Sequence, residues 1–274
     1  MRPLKASIAK ALRGILLAGG FGLASLAFAQ TGIGIAPPRY ELVLDRGATT
    51  TGQFALFTQN IKTQRIHVAK VDWLVKPDGA LFSLPAGSGP YSASPWLSVA
   101  TDPFVLSKAG SVDTRFSVHL PQDSSLEGSY WTAVAFTTEP TATGRTGLAA
   151  RFQTRLLAIV YVTVRGTERP AAALQGFSVV NEDGKRYLLA DVVNLGNVYL
   201  RFKGELRFVD VAGKIVRREE LRERVLLRDG LMRYRLPFPK DLPTDAVLVQ
   251  IELQPQGPAG SYGGPPLYGE VPLQ

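Results

Sequence analysis

Cysteine is absent from all 274 residues, and histidine occurs only twice, at His67 and His119. The first absence excludes a disulfide framework, a thiolate nucleophile and any cysteine-ligated metal. The second leaves no ligand-spaced imidazole pair, so both histidines read as half-exposed strand residues and no metal site is expected. A Gly-x-Ser-x-Gly elbow, a phosphate-binding loop, a His-Glu-x-x-His motif and a calcium loop are all missing. The scattered Asp and Glu form no arrangement that points to glycoside chemistry. The expectation is a protein that is not an enzyme and needs no cofactor.

Long apolar runs are also scarce, and the one that exists is N-terminal. Arg2, Lys5, Lys10 and Arg13 precede an apolar stretch from Ile15 to Phe28, and Ala27-Phe28-Ala29 has the small-x-small form of a cleavage site. Residues 1–29 therefore read as a Sec-type signal peptide. Their apolar part is shorter than the ~20 residues needed to span a bilayer, and no later run is long enough, so no membrane span is expected after cleavage. Four of the 31 Lys and Arg residues fall in this segment and all 23 Asp and Glu lie beyond it, which leaves the rest of the chain near +4. Without a basic patch interleaved with aromatics, that excess does not suggest nucleic-acid binding. The localisation implied is periplasmic or otherwise extracytoplasmic.

What is abundant is turn chemistry and alternation. Nineteen prolines and 27 glycines punctuate short runs whose apolar residues recur every second position. The longest such run, Gln153 to Arg165, carries Leu156, Ala158, Val160, Val162 and Val164 on the same face as Phe152 just before it. Arg155, Leu157, Ile159 and Tyr161 form a second stripe that is also largely apolar, so both faces are expected to be covered. Gly166 to Pro170 then breaks the pattern. Before it, strands are expected in Ile33–Leu44, interrupted at Pro37-Pro38 where a strand changes sheets, and in Thr49–Gln59, Gln64–Val75, Val112–Leu120 and Ser129–Thr138. Pro85 to Pro95 reads as a loop. After it, strands are expected near 174–180, 187–194, 204–210, 214–218, 232–237, 246–253 and 267–273, with Asn181 to Gly184 as a hairpin turn. The Gly/Pro-rich stretch 255–266 reads as a mobile loop, and the mixed-charge run Arg217 to Arg224 as a solvated face. The fold class expected is all-β, two tandem immunoglobulin-like β-sandwich domains. The divisions are residues 30–166, a hinge at 167–170, and residues 171–274.

Several motifs of the first half are shared with a known family. They are Pro38-Arg39-Tyr40-Glu41-Leu42, Asp72-Trp73-Leu74 before Pro77-Asp78-Gly79, and Pro103 to Gly110 with Thr114-Arg115-Phe116. Glu127-Gly128-Ser129-Tyr130-Trp131 through Glu139-Pro140, and Gln153-Thr154-Arg155-Leu156, complete the set. In these the chain resembles the periplasmic pilus-assembly chaperones of the PapD type. The second half, with Asn194-Leu195-Gly196-Asn197, resembles them less. The resemblance implies partners that are secreted pilus or surface-protein subunits, and an outer-membrane usher. It implies capture by strand donation, in which a client lacking its last strand is completed by an edge of the chaperone. By this likeness Leu148, Ala150 and Phe152 form the donor strand, and Arg39 and Arg155 anchor the client's terminal carboxylate. Leu157, standing where the family carries a lysine, faces the cleft with Ile159 and Tyr161. The alternative reading is a non-enzymatic structural or adhesion module of the cell envelope.

Overall fold

A computed structural model describes residues 32–59, 62–143 and 150–273. The proposed signal peptide and Leu148 lie outside the described residues. In the first sandwich the strands are β1 (Ile33–Ala36), β2 (Arg39–Leu44), β3 (Thr49–Thr58), β4 (Gln64–Val75), β5 (Leu81–Pro85), β6 (Leu97–Val99), β7 (Phe104–Leu106), β8 (Ser111–His119), β9 (Ser129–Thr138), β10 (Thr141–Thr143), β11 (Ala150–Phe152) and β12 (Arg155–Val164). The second contains β13 (Ala172–Glu182), β14 (Lys185–Asn194), β15 (Leu200–Asp210), β16 (Ile215–Leu226), β17 (Leu231–Pro237), β18 (Ala246–Gln256) and β19 (Leu267–Pro272). The only helical turns among the described residues are two short 3₁₀ segments, Ser94–Trp96 and Pro258–Gly260. No helix among these residues is long and apolar enough to cross a membrane. The fold class is the all-β, paired-sandwich arrangement expected from the alternating runs.

In the first sandwich one sheet has the order β1-β3-β8-β6 and the other β2-β12-β9-β4-β5, with β7 also on β4. Pro37-Pro38 does separate two pairings. β1 runs antiparallel to β3, whereas β2 runs parallel to β12, and the Ala36–Pro37 bond between them is cis. A proline pair has no amide to give either ladder, so the chain can leave one sheet and enter the other there. The even residues of β12 from Ala158 to Val164 join Phe54, Leu56, Ile66, Phe116, Val118 and Phe136 in the core between the sheets. Each large aliphatic or aromatic side chain so buried contributes about 1.5–3 kcal/mol before entropy is counted. The loop 85–95 is not loose. The buried Asp72 carboxylate accepts from Ser92 Oγ at 2.8 Å, Ser94 Oγ at 2.6 Å and the Gly89 amide at 2.9 Å, which ties the loop to β4.

The second sandwich packs β13-β14-β17 against β16-β15-β18-β19 around Leu188, Val192, Phe202, Phe208, Met232 and Ile251. The β13–β14 hairpin turns through Asp183 and Gly184, both at positive φ (48° and 70°), the geometry that favours an Asp-Gly turn. The charged run Arg217 to Arg224 lies inside β16, an edge strand of 12 residues. Between β12 and β13, Asn197 holds the linker. Its Oδ1 accepts from the Arg169 amide at 2.8 Å and its Nδ2 donates to the Thr167 carbonyl at 2.9 Å. Its own amide donates to Arg169 O at 3.1 Å, and its carbonyl accepts from the Ser129 amide at 2.9 Å. Gly128 approaches so closely that a Cβ there would sit 2.0 Å from the Asn197 carbonyl oxygen, and its φ is +68°.

Candidate functional site

The face of β12 opposite its core face is where the two sandwiches meet. Tyr161 is buried with Trp73, Trp131 and Ala133 of the first sandwich and Tyr199 and Leu227 of the second. The Tyr161 and Tyr199 rings lie 4.1 Å apart between centroids, inclined by 30°. Beside this contact opens a cleft of about 420 Å³. Leu157, Ile159 and Tyr161 line it along β12, with Trp73 and Leu81 from neighbouring strands and Val225 from β16. Alternation alone places these β12 residues together, because side chains two apart in a strand share a face.

The charged groups of the cleft come from both sandwiches. Arg39 enters from β2, Arg201 from β15, and Glu223 and Arg224 from β16. Glu41 ties the first two together. Its Oε1 accepts from Arg39 Nε at 2.8 Å and from Arg201 Nε at 3.0 Å, while its Oε2 accepts from the Ala259 amide at 3.0 Å. Arg201, whose side chain is only 9% exposed, also meets Glu223 at 3.4 Å and lies 5.3 Å from the Tyr161 ring centre. Burial works to raise the Glu41 pKa. Arg201, the Tyr199 hydroxyl, Arg39 and the Ala259 amide outweigh it, and the net position is below the ordinary carboxylate value. Burial pushes the Tyr161 phenol up to about 12, so it stays neutral. The stretch 255–266, expected to be mobile, instead carries the Pro258–Gly260 turn, buries Pro258 and is bonded to Glu41. Its glycines and prolines signal irregular backbone and carry no information about the carboxylate that holds it.

The edge beside the cleft is equally specific. β2 pairs with β12 only from Arg39↔Ile159 to Leu44↔Val164. Residues Arg155 to Ala158 pair with β9 on one side, and among the described residues no strand pairs with their other side. The Ile159 amide donates to Pro38 O at 3.0 Å, toward β2. Amides alternate along a strand, so those of Leu157 and Arg155 point to this same unpaired side.

The candidate residues fall in different places. Arg39 lies at the cleft, its side chain 45% exposed and engaged with Glu41. Arg155 is exposed at the start of β12, opposite Thr137. It is four residues upstream of Arg39's neighbour Ile159, roughly 13 Å along the strand, and is not among the cleft-lining residues. Ala150 and Phe152 form β11, which pairs back on β10 as Thr143↔Ala150 and Thr141↔Phe152, and Phe152 is 64% exposed. Sequence reasoning missed Glu41, Arg201 and Arg224. Glu41 stood inside a quoted motif, whereas the two arginines gave no local sign of what they face. His67 and His119 meet Glu139 and Thr49 on exposed strand faces, and no cluster of metal-ligating residues occurs among the described residues.

No family model matches the chain, and no curated protein matches it. Among solved structures it is similar to the class 5 fimbriae chaperone CfaA, at 14% identity over 88% of this chain and 100% of that one, with a TM-score of 0.44. It is similar to the E. coli chaperone DraB at 12% identity, over 88% and 95% of the two chains, with a TM-score of 0.41. A third is the CsuC–CsuE chaperone–tip adhesion subunit pre-assembly complex of Acinetobacter baumannii Csu pili, at 10% identity over 87% and 97%, with a TM-score of 0.46. All three likenesses lie at low identity and at TM-scores below 0.5.

Proposed function

We propose that this chain is an exported, non-enzymatic chaperone-like protein that captures an extended segment of a pilus or surface-protein subunit on the open edge of β12. In this reading it works outside the cytoplasm and hands its client to an outer-membrane usher. The observation that carries it is the short β2 pairing. Arg155 to Ala158 pair with β9 on one side and, among the described residues, with no strand on the other, and unpaired backbone of that kind binds another strand readily. A guest laid there replaces β2 on its own line. If its terminal carboxylate is to reach Arg39, it must run parallel to β12 and end where β2 begins. Arg155 then flanks the guest about four residues before its end, while Leu157 and Ile159 face its last side chains. Ala150 and Phe152 on β11, which is paired with β10, precede this edge in the chain. The 167–170 segment acts as the joint between the two domains.

Leu157→Pro tests the reading. It removes an amide that faces the open edge and leaves the β9 ladder intact, so the fold is retained. Binding of a short synthetic peptide of alternating Val and Thr should weaken by about tenfold or more. Leu156→Pro, whose amide faces β9, should instead lower the melting temperature. Unchanged peptide binding by a folded Leu157→Pro protein would sink strand capture. The alternative, an envelope spacer, draws support from the bonded linker at Asn197. Fractionation separates the two, since a spacer stays with the envelope and a chaperone is recovered free or with its client.

A further inference from the structure

The cleft holds one more cation than it balances. Arg39 and Arg201 share Glu41, and Arg201 takes Glu223 as well. Arg224 forms no ion pair among the described residues. Asp78, on the facing turn, accepts from the Ala80 amide at 2.9 Å through Oδ1 and acts on Arg224 without forming an ion pair with it. The guanidinium of Arg224 is nevertheless held firmly. One Nη donates to Arg233 O at 2.6 Å, the other to Pro77 O at 3.0 Å, and the Tyr234 ring centre is 5.0 Å away. Two of its five N–H groups are used in these bonds and three remain. Burial lowers its pKa and outweighs the opposing influence of Tyr234 and Asp78. Meanwhile β12 offers no cation inside the cleft, since Ile159 stands beside Arg39 and Leu157 precedes it.

We propose that Arg224 is the second cation of the notch, so that a captured chain's terminal carboxylate is held between Arg39 of the first sandwich and Arg224 of the second. This rests on the strand-capture reading and assigns to it a residue that β12 does not supply. Arg39 spends Nε on Glu41 and keeps its two Nη groups for a ligand. Arg224 is pre-positioned by two carbonyls and a ring, which limits the ordering cost of gripping a second anion. The apolar walls at Trp73, Leu81, Leu157 and Val225 suit a large apolar final residue on the guest.

The test compares the alternating Val/Thr peptide ending in Phe with its C-terminal amide, on the full chain and on Arg224→Gln. The native protein should prefer the free acid by about tenfold, the scale of one charge-assisted contact. In Arg224→Gln that preference should fall toward unity while affinity for the amide stays the same, and Arg224→Lys should recover part of it. A purely structural role would weaken acid and amide equally, and that result overturns the assignment. So does an undiminished preference in Arg224→Gln. Failure of both peptides to bind the native protein would instead remove strand capture itself, and this assignment with it.

Discussion

At Glu41 a single side chain receives donors from both sandwiches, two guanidiniums on one oxygen and a backbone amide on the other. A half-buried carboxylate so surrounded stabilises the fold only while it is charged. Its pKa is depressed in the folded state. The contribution is therefore complete above the unfolded value near 4.5 and is lost as pH falls through the lower folded value. Arg201→Met should destabilise by roughly 3 kcal/mol, the low end for breaking a buried pair, as measured by urea denaturation at neutral pH. The same variant should show a shallower loss of stability on acidification than the native protein, because Glu41 then has less to lose. Equal acid sensitivity in both would disprove this role. Arg39 was visible in the sequence through its motif. Arg201 was not, since alternation says which side of β15 it occupies and nothing about the strand it meets 160 residues away.

Among the elements, β12 and β16 handle exposed edges in opposite ways. β12 leaves one edge of four residues, Arg155 to Ala158, without a strand among the described residues, beside the cleft. β16 is a 12-residue edge strand that presents Arg218, Glu220, Arg222 and Glu223 to solvent and carries a bulge near Arg222. Charge and irregularity on an edge discourage pairing with another molecule. Replacing Arg218, Glu220 and Arg222 together by valine should give concentration-dependent association in sedimentation velocity, with the native protein unaffected. A triple variant that remains monomeric would show that the charges do not guard this edge. The mixed-sign run was legible as a solvated face, and the structure adds that the face belongs to a strand. The period-two pattern is obscured there because nearly every residue from 217 to 224 is charged.

For the molecule as a whole, the joint is bonded at several points. Asn197 clamps the linker, Glu127 meets Arg169 at 2.6 Å and Arg228 at 3.6 Å, and the Tyr91 hydroxyl donates to Asp229. Asn197→Ala removes two side-chain bonds from a site only 4% exposed and should cost about 1–3 kcal/mol. Spin labels on the two sandwiches should then report a broader distance distribution, and peptide capture should weaken because both sandwiches wall the cleft. An unchanged distribution would mean that the remaining contacts suffice.

The amino-acid order alone determined the alternating strands, the proline break where the chain changes sheets, the two faces of β12 and the absence of thiol or paired-imidazole chemistry. Those are properties of neighbours in the chain, and a period of two or a missing residue type can be read without knowing the fold. Which strands stop short, which arginine faces which carboxylate, and how a Gly/Pro turn comes to rest on Glu41 were decided only when segments far apart in the chain were brought together. Long-range register and the pairing of buried charge depend on packing between elements, and no local pattern encodes them.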